Sequence, residues 1–107
     1  MTSPLLSLCI PTNGIIELIF PVLESIYSQK DVESSLFEVV VMDNGDNQEF
    51  KAKIREFGAQ HENLVYKETE LKGFLSESEC YKAASGTFIK FINHRTKLLP
   101  NAISYLV

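Results

Sequence analysis

Four short polar segments hold most of the side chains in this sequence that could bind a small molecule: Pro11-Thr-Asn-Gly14, Asp43-Asn-Gly-Asp46, Lys72-Gly-Phe-Leu75 and Asn93-His-Arg-Thr-Lys97. They offer hydroxyl, amide, carboxylate and cationic groups, a set suited to holding a polar or anionic ligand. The same residue types also make ordinary turns, and Asp43-Asn-Gly45 by itself is turn chemistry after an apolar run. Other chemistries lack their residues. No glycine-rich dinucleotide fingerprint follows the first apolar run, and there is no phosphate-binding P-loop and no Cys/His metal cluster. The two histidines, His61 and His94, stand without a nucleophile elbow, so Ser-His-Asp catalysis is unsupported.

The elements that must carry these segments alternate along the chain. Leu5–Ile10 is an apolar run that predicts a buried strand, and Glu17–Gln29 predicts a helix with Leu18, Val22, Leu23 and Ile26 on one face. Pro21 stands about one turn into that helix, where the first N–H groups lack partners in any case. Leu36–Met42 is nearly continuous in apolar character and predicts a central strand buried on both faces. Gln48–Gln60 predicts a helix with a Phe50, Ile54, Phe57 stripe, and Asn63–Lys67 a short strand. Ser76-Glu-Ser-Glu79 matches a capping box, with Leu75 and Cys80 as a hydrophobic staple, so a helix is expected over Glu77–Ser85. Gly86 then stands at a left-handed C-terminal cap, Thr87–Ile92 forms a fourth strand, and Pro100 opens a last helix. Strand-helix alternation with short connections implies right-handed crossovers and a mostly parallel, three-layer α/β/α sheet. Ligands of such sheets bind beyond the carboxyl ends of the strands, so the four polar segments converge on one rim.

Bulk properties narrow the function classes. The chain has 107 residues, one domain at most, with 45% hydrophobic and 22% charged residues. A net charge of −4 argues against nucleic acid as a partner. No apolar run approaches the ~20 residues that cross a bilayer, and the N-terminus lacks the basic region of a signal peptide. The expected location is cytoplasmic. Cys9 and Cys80 read as two buried thiols rather than a disulfide. The last residues, Asn101–Val107, read as an unfinished helix, which points to a fragment boundary.

The whole chain also resembles the family 2 glycosyltransferases of the GT-A fold. Leu6-Ser-Leu-Cys-Ile-Pro-Thr12 is similar to their first strand and loop, Leu23-Glu-Ser-Ile-Tyr-Ser-Gln29 to the end of their first helix, and Phe37-Glu-Val-Val-Val-Met-Asp-Asn-Gly45 to their second strand. Lys72-Gly-Phe74, Ala83-Ala-Ser-Gly-Thr-Phe-Ile-Lys-Phe-Ile92 and Leu98-Leu-Pro100 resemble the stretches around their metal-binding loop. The resemblance implies a Rossmann-like GT-A fold and residues 1–107 as its N-terminal nucleotide-sugar-binding part, truncated before the acceptor half. It implies sugar transfer from a nucleotide-sugar donor to an acceptor hydroxyl in surface-polysaccharide or lipopolysaccharide synthesis in bacteria. The full-length protein would be peripheral to the inner membrane, and this part would supply donor binding only, being inactive alone. Carried over by position, Pro11, Thr12, Asp43, Asn44, Gly45, Lys72 and Gly73 would bind the nucleotide, and no catalytic base is assignable.

At the phosphate end the sequence departs from the family. Family members use Mn²⁺ or Mg²⁺ held by an Asp-x-Asp pair, and the pair's positions fall on Asn93 and Arg95, with His94 between them. Hard divalent cations want anionic oxygen ligands, and a guanidinium repels them. Two readings stay open. Either Arg95, with His94 or Lys97, pairs directly with the diphosphate in place of a metal, or the loop has lost that role and the chain is a noncatalytic binding domain that kept the fold. A sheet edge or helix face exposed where the acceptor half belongs would favour homo-oligomers.

Overall fold

The structure, a computed structural model, describes residues 4–29, 33–71, 74–92 and 103. Strand β1 (Leu6–Thr12) leads to helix α1 (Ile16–Tyr27), then β2 (Phe37–Asp43), α2 (Gln48–Ala59), β3 (Leu64–Glu68), α3 (Phe74–Ala83) and β4 (Phe88–Phe91). All pairings are parallel and the strand order is β3-β2-β1-β4. The chain steps outward from β1 to β3 and then crosses back to the other side of β1. Right-handed crossovers therefore place α1 and α2 on one face and α3 on the other. The switch point of the sheet lies between β1 and β4.

Alternation along the strands feeds two cores. Leu6, Leu8 and Ile10 of β1 and Phe37, Val39 and Val41 of β2 pack with Ile19, Val22, Leu23 and Ile26 of α1 and Phe50 and Ile54 of α2. Cys9, Val40 and Met42 face the opposite side and meet Cys80 of α3. Every residue of β2 is buried, as its continuous apolar run predicts. The α1–α2 seam is aromatic: Phe20 lies edge-on to Phe50 and Phe57, with ring centroids 5.9 and 5.8 Å apart. Both cysteines are free and buried. The Cys9 thiol and burial together push the Cys80 thiol up.

Several boundaries differ from the sequence expectation. The buried residues of α1 are Ile19, Val22, Leu23 and Ile26, so Ile19 takes the place expected for Leu18, which is only half-buried. Pro21 is the sixth residue of α1, beyond the first turn. Its missing N–H leaves the Glu17 carbonyl without a helical partner, and Glu17 stands on the exposed side where water can serve it.

The capping box on Ser76 does not start α3, whose backbone is helical from Phe74. No breaker separates Ser76 from Gly73, so the helix propagates back to the residue after that glycine. At its other end α3 stops at Ala83, two residues short, because Ser85 and Gly86 turn their N–H groups to the sheet. Ser85 N–H donates to the Glu38 carboxylate at 2.6 Å and Gly86 N–H to Ser7 Oγ at 2.8 Å. Gly86 is not a left-handed cap either: among the described residues Gly14 is the one glycine with positive φ, at 82°. Gly86 is needed for close approach, since a Cβ there would lie 2.6 Å from Ser7 Oγ and 2.7 Å from Ser7 N. The helix expected after Pro100 lies outside the described residues except for Ile103, which is fully buried in the α1 core and donates its N–H to Gln29 Oε1 at 3.1 Å.

Candidate functional site

Parallel register sets Thr12, Asp43 and Glu68 side by side at the carboxyl ends of β1, β2 and β3. The ladder continues one step past the strands, with Asn44 N–H donating to the Thr12 carbonyl and Thr69 N–H to that of Asp43, both at 2.9 Å. Local turn chemistry then shapes the rim. Gly14 donates its N–H to Thr12 Oγ1 at 3.1 Å, which folds the chain sharply back after β1. Asn47 caps α2 by accepting from Phe50 N–H at 3.2 Å, and its amide donates to the Gly14 carbonyl at 3.1 Å. Gly45 crosses directly over Asn13, where any Cβ would overlap the Asn13 carbonyl. The two loops therefore touch backbone to backbone.

Asp43 is the centre of the polar network. Its side chain is 1% exposed, and its oxygens are engaged: Oδ1 accepts from Gly45 N–H at 2.9 Å, and Oδ2 accepts from Lys51 Nζ at 3.1 Å and Tyr66 Oη at 2.7 Å. Lys51 also reaches Glu68 Oε1 at 2.8 Å, and Tyr66 Oη lies 3.1 Å from the same oxygen. Arg55 adds an exposed contact to Glu68 at 3.9 Å. The Glu68 hydrogen bond holds the Lys51 ammonium protonated above the usual lysine range, with Asp43 adding to it. Lys51 and Tyr66 in turn hold the Glu68 carboxyl below its usual range. Burial and the bond to Asp43 push the Tyr66 phenol far up. At neutral pH the network thus holds ammonium, carboxylate and phenol.

Beside it opens a cleft of about 330 Å³ lined by Asp43, Gly45, Asp46, Lys51, Glu68, Thr69 and Glu70. Clefts of this size at the carboxyl ends of parallel strands take small ligands. Solved structures with the same arrangement identify the architecture. Residues 1–349 of S. aureus TarS superpose with a TM-score of 0.81 at 23% identity, over 95% of this chain and 31% of that one. The same protein in complex with UDP gives 0.82 at 24% identity over 95% and 30%. The mannosyltransferase PcManGT from Pyrobaculum calidifontis, in complex with GDP-Man and Mn²⁺, gives 0.82 at 22% identity over 97% and 31%. The fold is the Rossmann-like GT-A fold. By sequence, the uncharacterized protein MT1568 of Mycobacterium tuberculosis (strain CDC 1551 / Oshkosh) is 31% identical over 103 residues, 96% of this chain and 31% of its own length. No protein-family profile matches the chain. The chain spans about a third of the length of these relatives.

Within this GT-A frame, five of the residues expected from the sequence come together on the rim: half-buried Pro11, buried Thr12 and Asp43, and half-buried Asn44 and Gly45. Lys72, Gly73, Asn93, His94 and Arg95 lie outside the described residues. Sequence reasoning missed Lys51, Tyr66, Glu68, Thr69 and Glu70. One signal was available: Tyr66 and Glu68 are two apart on one face of a strand, which places a phenol and a carboxylate together at its end. Among the described residues no group of three His, Cys, Asp or Glu side chains could hold a metal ion, and none of their helices is long and apolar enough to cross a membrane.

Proposed function

We propose that this chain is the donor-binding part of a family 2, inverting glycosyltransferase that transfers sugar from a nucleotide-sugar to an acceptor hydroxyl in bacterial surface-polysaccharide or lipopolysaccharide synthesis. The carrying observation is the Thr12–Asp43–Glu68 row with its adjoining cleft, on a fold shared with proteins solved with UDP, UDP-GlcNAc and GDP-Man. Charge orients the ligand. Asp43, Asp46, Glu68 and Glu70 outnumber the single ammonium of Lys51 along the cleft, so it repels a diphosphate and suits the uncharged base and ribose hydroxyls. The diphosphate then belongs toward the switch point between β1 and β4, and the sequence that comes after β4 carries Asn93, His94 and Arg95.

The metal that GT-A enzymes use does not fit that segment, because an amide, an imidazole and a guanidinium replace the expected carboxylates. Arg95, paired bidentately with the diphosphate, supplies fixed positive charge to the departing nucleoside diphosphate instead. Binding and orienting the donor is the role of this chain; the base that deprotonates the acceptor is assigned to no carboxylate here.

Calorimetric titration with UDP and with GDP, first in EDTA and then with Mn²⁺, tests the reading. Metal-independent binding of one nucleotide, lost in Arg95→Ala, is the expected result. Absence of binding for both nucleotides under both conditions would refute it.

A further inference from the structure

We propose that Lys51 and Tyr66 are positioning residues of this donor site: acting through Asp43, they fix the Asn44–Gly45 segment against Thr12 and Asn13. The inference rests on the donor-site reading, but its mechanical part stands on geometry alone.

Asp43 is buried with one oxygen committed to the loop and the other to Lys51 and Tyr66. A carboxylate so enclosed acts on the base through the segment it holds. That segment is Asn44–Gly45: Gly45 N–H is bound by Asp43, Asn44 N–H is bound by the Thr12 carbonyl, and Gly45 has no room to shift toward Asn13. The orientation of Asp43 therefore sets where the Asn44 side chain and the Thr12 edge stand.

Lys51 is needed for that orientation because of a shortage of protons. Tyr66 has one hydroxyl proton and two carboxylate oxygens within reach, Asp43 Oδ2 at 2.7 Å and Glu68 Oε1 at 3.1 Å. The shorter contact takes the proton, which leaves the phenol oxygen facing Glu68 without one. Lys51 resolves this, since its ammonium has three N–H donors and bridges both carboxylates at 3.1 and 2.8 Å. Without it, two anions compete for one phenol proton, and Asp43 loses the cation that fixes Oδ2. Its side chain is then free to rotate, which withdraws Oδ1 from Gly45. Arg55, at 3.9 Å from the same Glu68 oxygen and with its side chain 67% exposed, holds that carboxylate too weakly to be a substitute.

The test uses the full chain as wild type, Lys51→Met, Lys51→Arg and Tyr66→Phe, with Ile54→Val as a control that loosens the core face of α2 without touching the network. Two readouts are followed: the Gly45 amide resonance in ¹⁵N spectra, and the UDP and GDP dissociation constants. Lys51→Met should move the Gly45 amide off its hydrogen-bonded position and weaken nucleotide binding about tenfold, as expected for one charge-assisted hydrogen bond. Lys51→Arg should restore both, Tyr66→Phe should give a smaller change of the same sign, and Ile54→Val should lower the melting temperature while leaving both readouts in place. An unmoved Gly45 resonance in Lys51→Met, or equal effects from Ile54→Val, overturns the proposal. If Lys51→Met does not fold, Tyr66→Phe decides by the same criteria. If the wild type binds neither nucleotide, the donor-site reading fails, and the Gly45 resonance across the variants still supports or overturns the clamp.

Discussion

Replacing Gly86 with alanine puts a methyl carbon 2.6 Å from Ser7 Oγ, 2.7 Å from Ser7 N and 2.9 Å from Leu6 C. Ordinary contact starts near 3.4 Å, so something must move. Strand β1 is not free to do so, being hydrogen-bonded to β2 on one side and β4 on the other. The α3–β4 connection must lift instead, which breaks the bonds from Ser85 N–H to Glu38 and from Gly86 N–H to Ser7. Glu38 and Ser7 are both buried, so their acceptors are left short of donors at about 1–3 kcal/mol each, less whatever water recovers. Relieved overpacking adds about 1 kcal/mol. A total near 3 kcal/mol is expected, roughly 12–20 °C in melting temperature for a domain of this size. Urea unfolding of Gly86→Ala beside Gly86→Asn is the assay. A left-handed cap would tolerate asparagine better than alanine, whereas close approach penalises asparagine at least as much. A loss below about 1 kcal/mol in alanine, or a clear advantage for asparagine, would refute the reasoning.

Gly45→Ala should displace the loop after β2 from Asn13 and lower nucleotide affinity more than it lowers stability, a split readable by titration and thermal melting on one sample. Lys51→Met should destabilise by about 2–3 kcal/mol in urea, because it removes the cation from a carboxylate that is only 1% exposed; a change under 0.5 kcal/mol would count against the network. The same pair sets a pH signature. Glu68 titrates below its unfolded value, so its contribution is present above the ordinary carboxylate range and fades as pH falls through the lowered value. Lys51 titrates above its unfolded value, so its contribution is complete below the ordinary lysine range and fades as pH rises through the raised value. Urea midpoints of wild type minus Lys51→Met should accordingly be widest at neutral pH and narrow at both extremes. A thiol reagent should modify neither Cys9 nor Cys80 in the native chain and both after denaturation, since both are free and buried; rapid native reaction would contradict their placement.

The sheet was legible in the sequence because burial on two faces leaves a plain signature. Phe37–Met42 has no polar alternation beyond Glu38, and only a strand covered on both sides reads that way. The Phe50, Ile54, Phe57 stripe likewise placed α2 correctly, with Asn47 capping it. Around α3 the same kind of reasoning misled. The Ser76 capping box and the Gly86 cap are local signals, and each was overruled: by helix that already begins at Phe74 in one case, by contact with β1 in the other. Ser7 and Glu38 lie 31 residues apart, so nothing near Gly86 in the sequence announces that they wait for its N–H and that of Ser85.

For the site, strand ends were enough to find Thr12, Asp43, Asn44 and Gly45, while Lys51, Tyr66 and Glu68 depend on β3 lying beside β2 in a particular register, which no local pattern encodes. The register has a second consequence. Strand β2 carries two buried carboxylates, Glu38 toward α3 and Asp43 toward α2, on opposite faces because their positions differ by an odd number. Glu38 accepts from Ser7 Oγ at 2.5 Å and from Ser85 N–H, and so fixes the crossover that leads into β4. Asp43 accepts from Lys51, Tyr66 and Gly45, and so fixes α2, β3 and the loop between β2 and α2. A buried carboxylate is costly unless its lone pairs are met, and each of these is met only when one particular crossover is in place. Apolar packing alone would tolerate small slides of α2 or of the α3–β4 connection over the sheet. The two carboxylates do not, and the rim on which a donor would sit inherits its geometry from that intolerance.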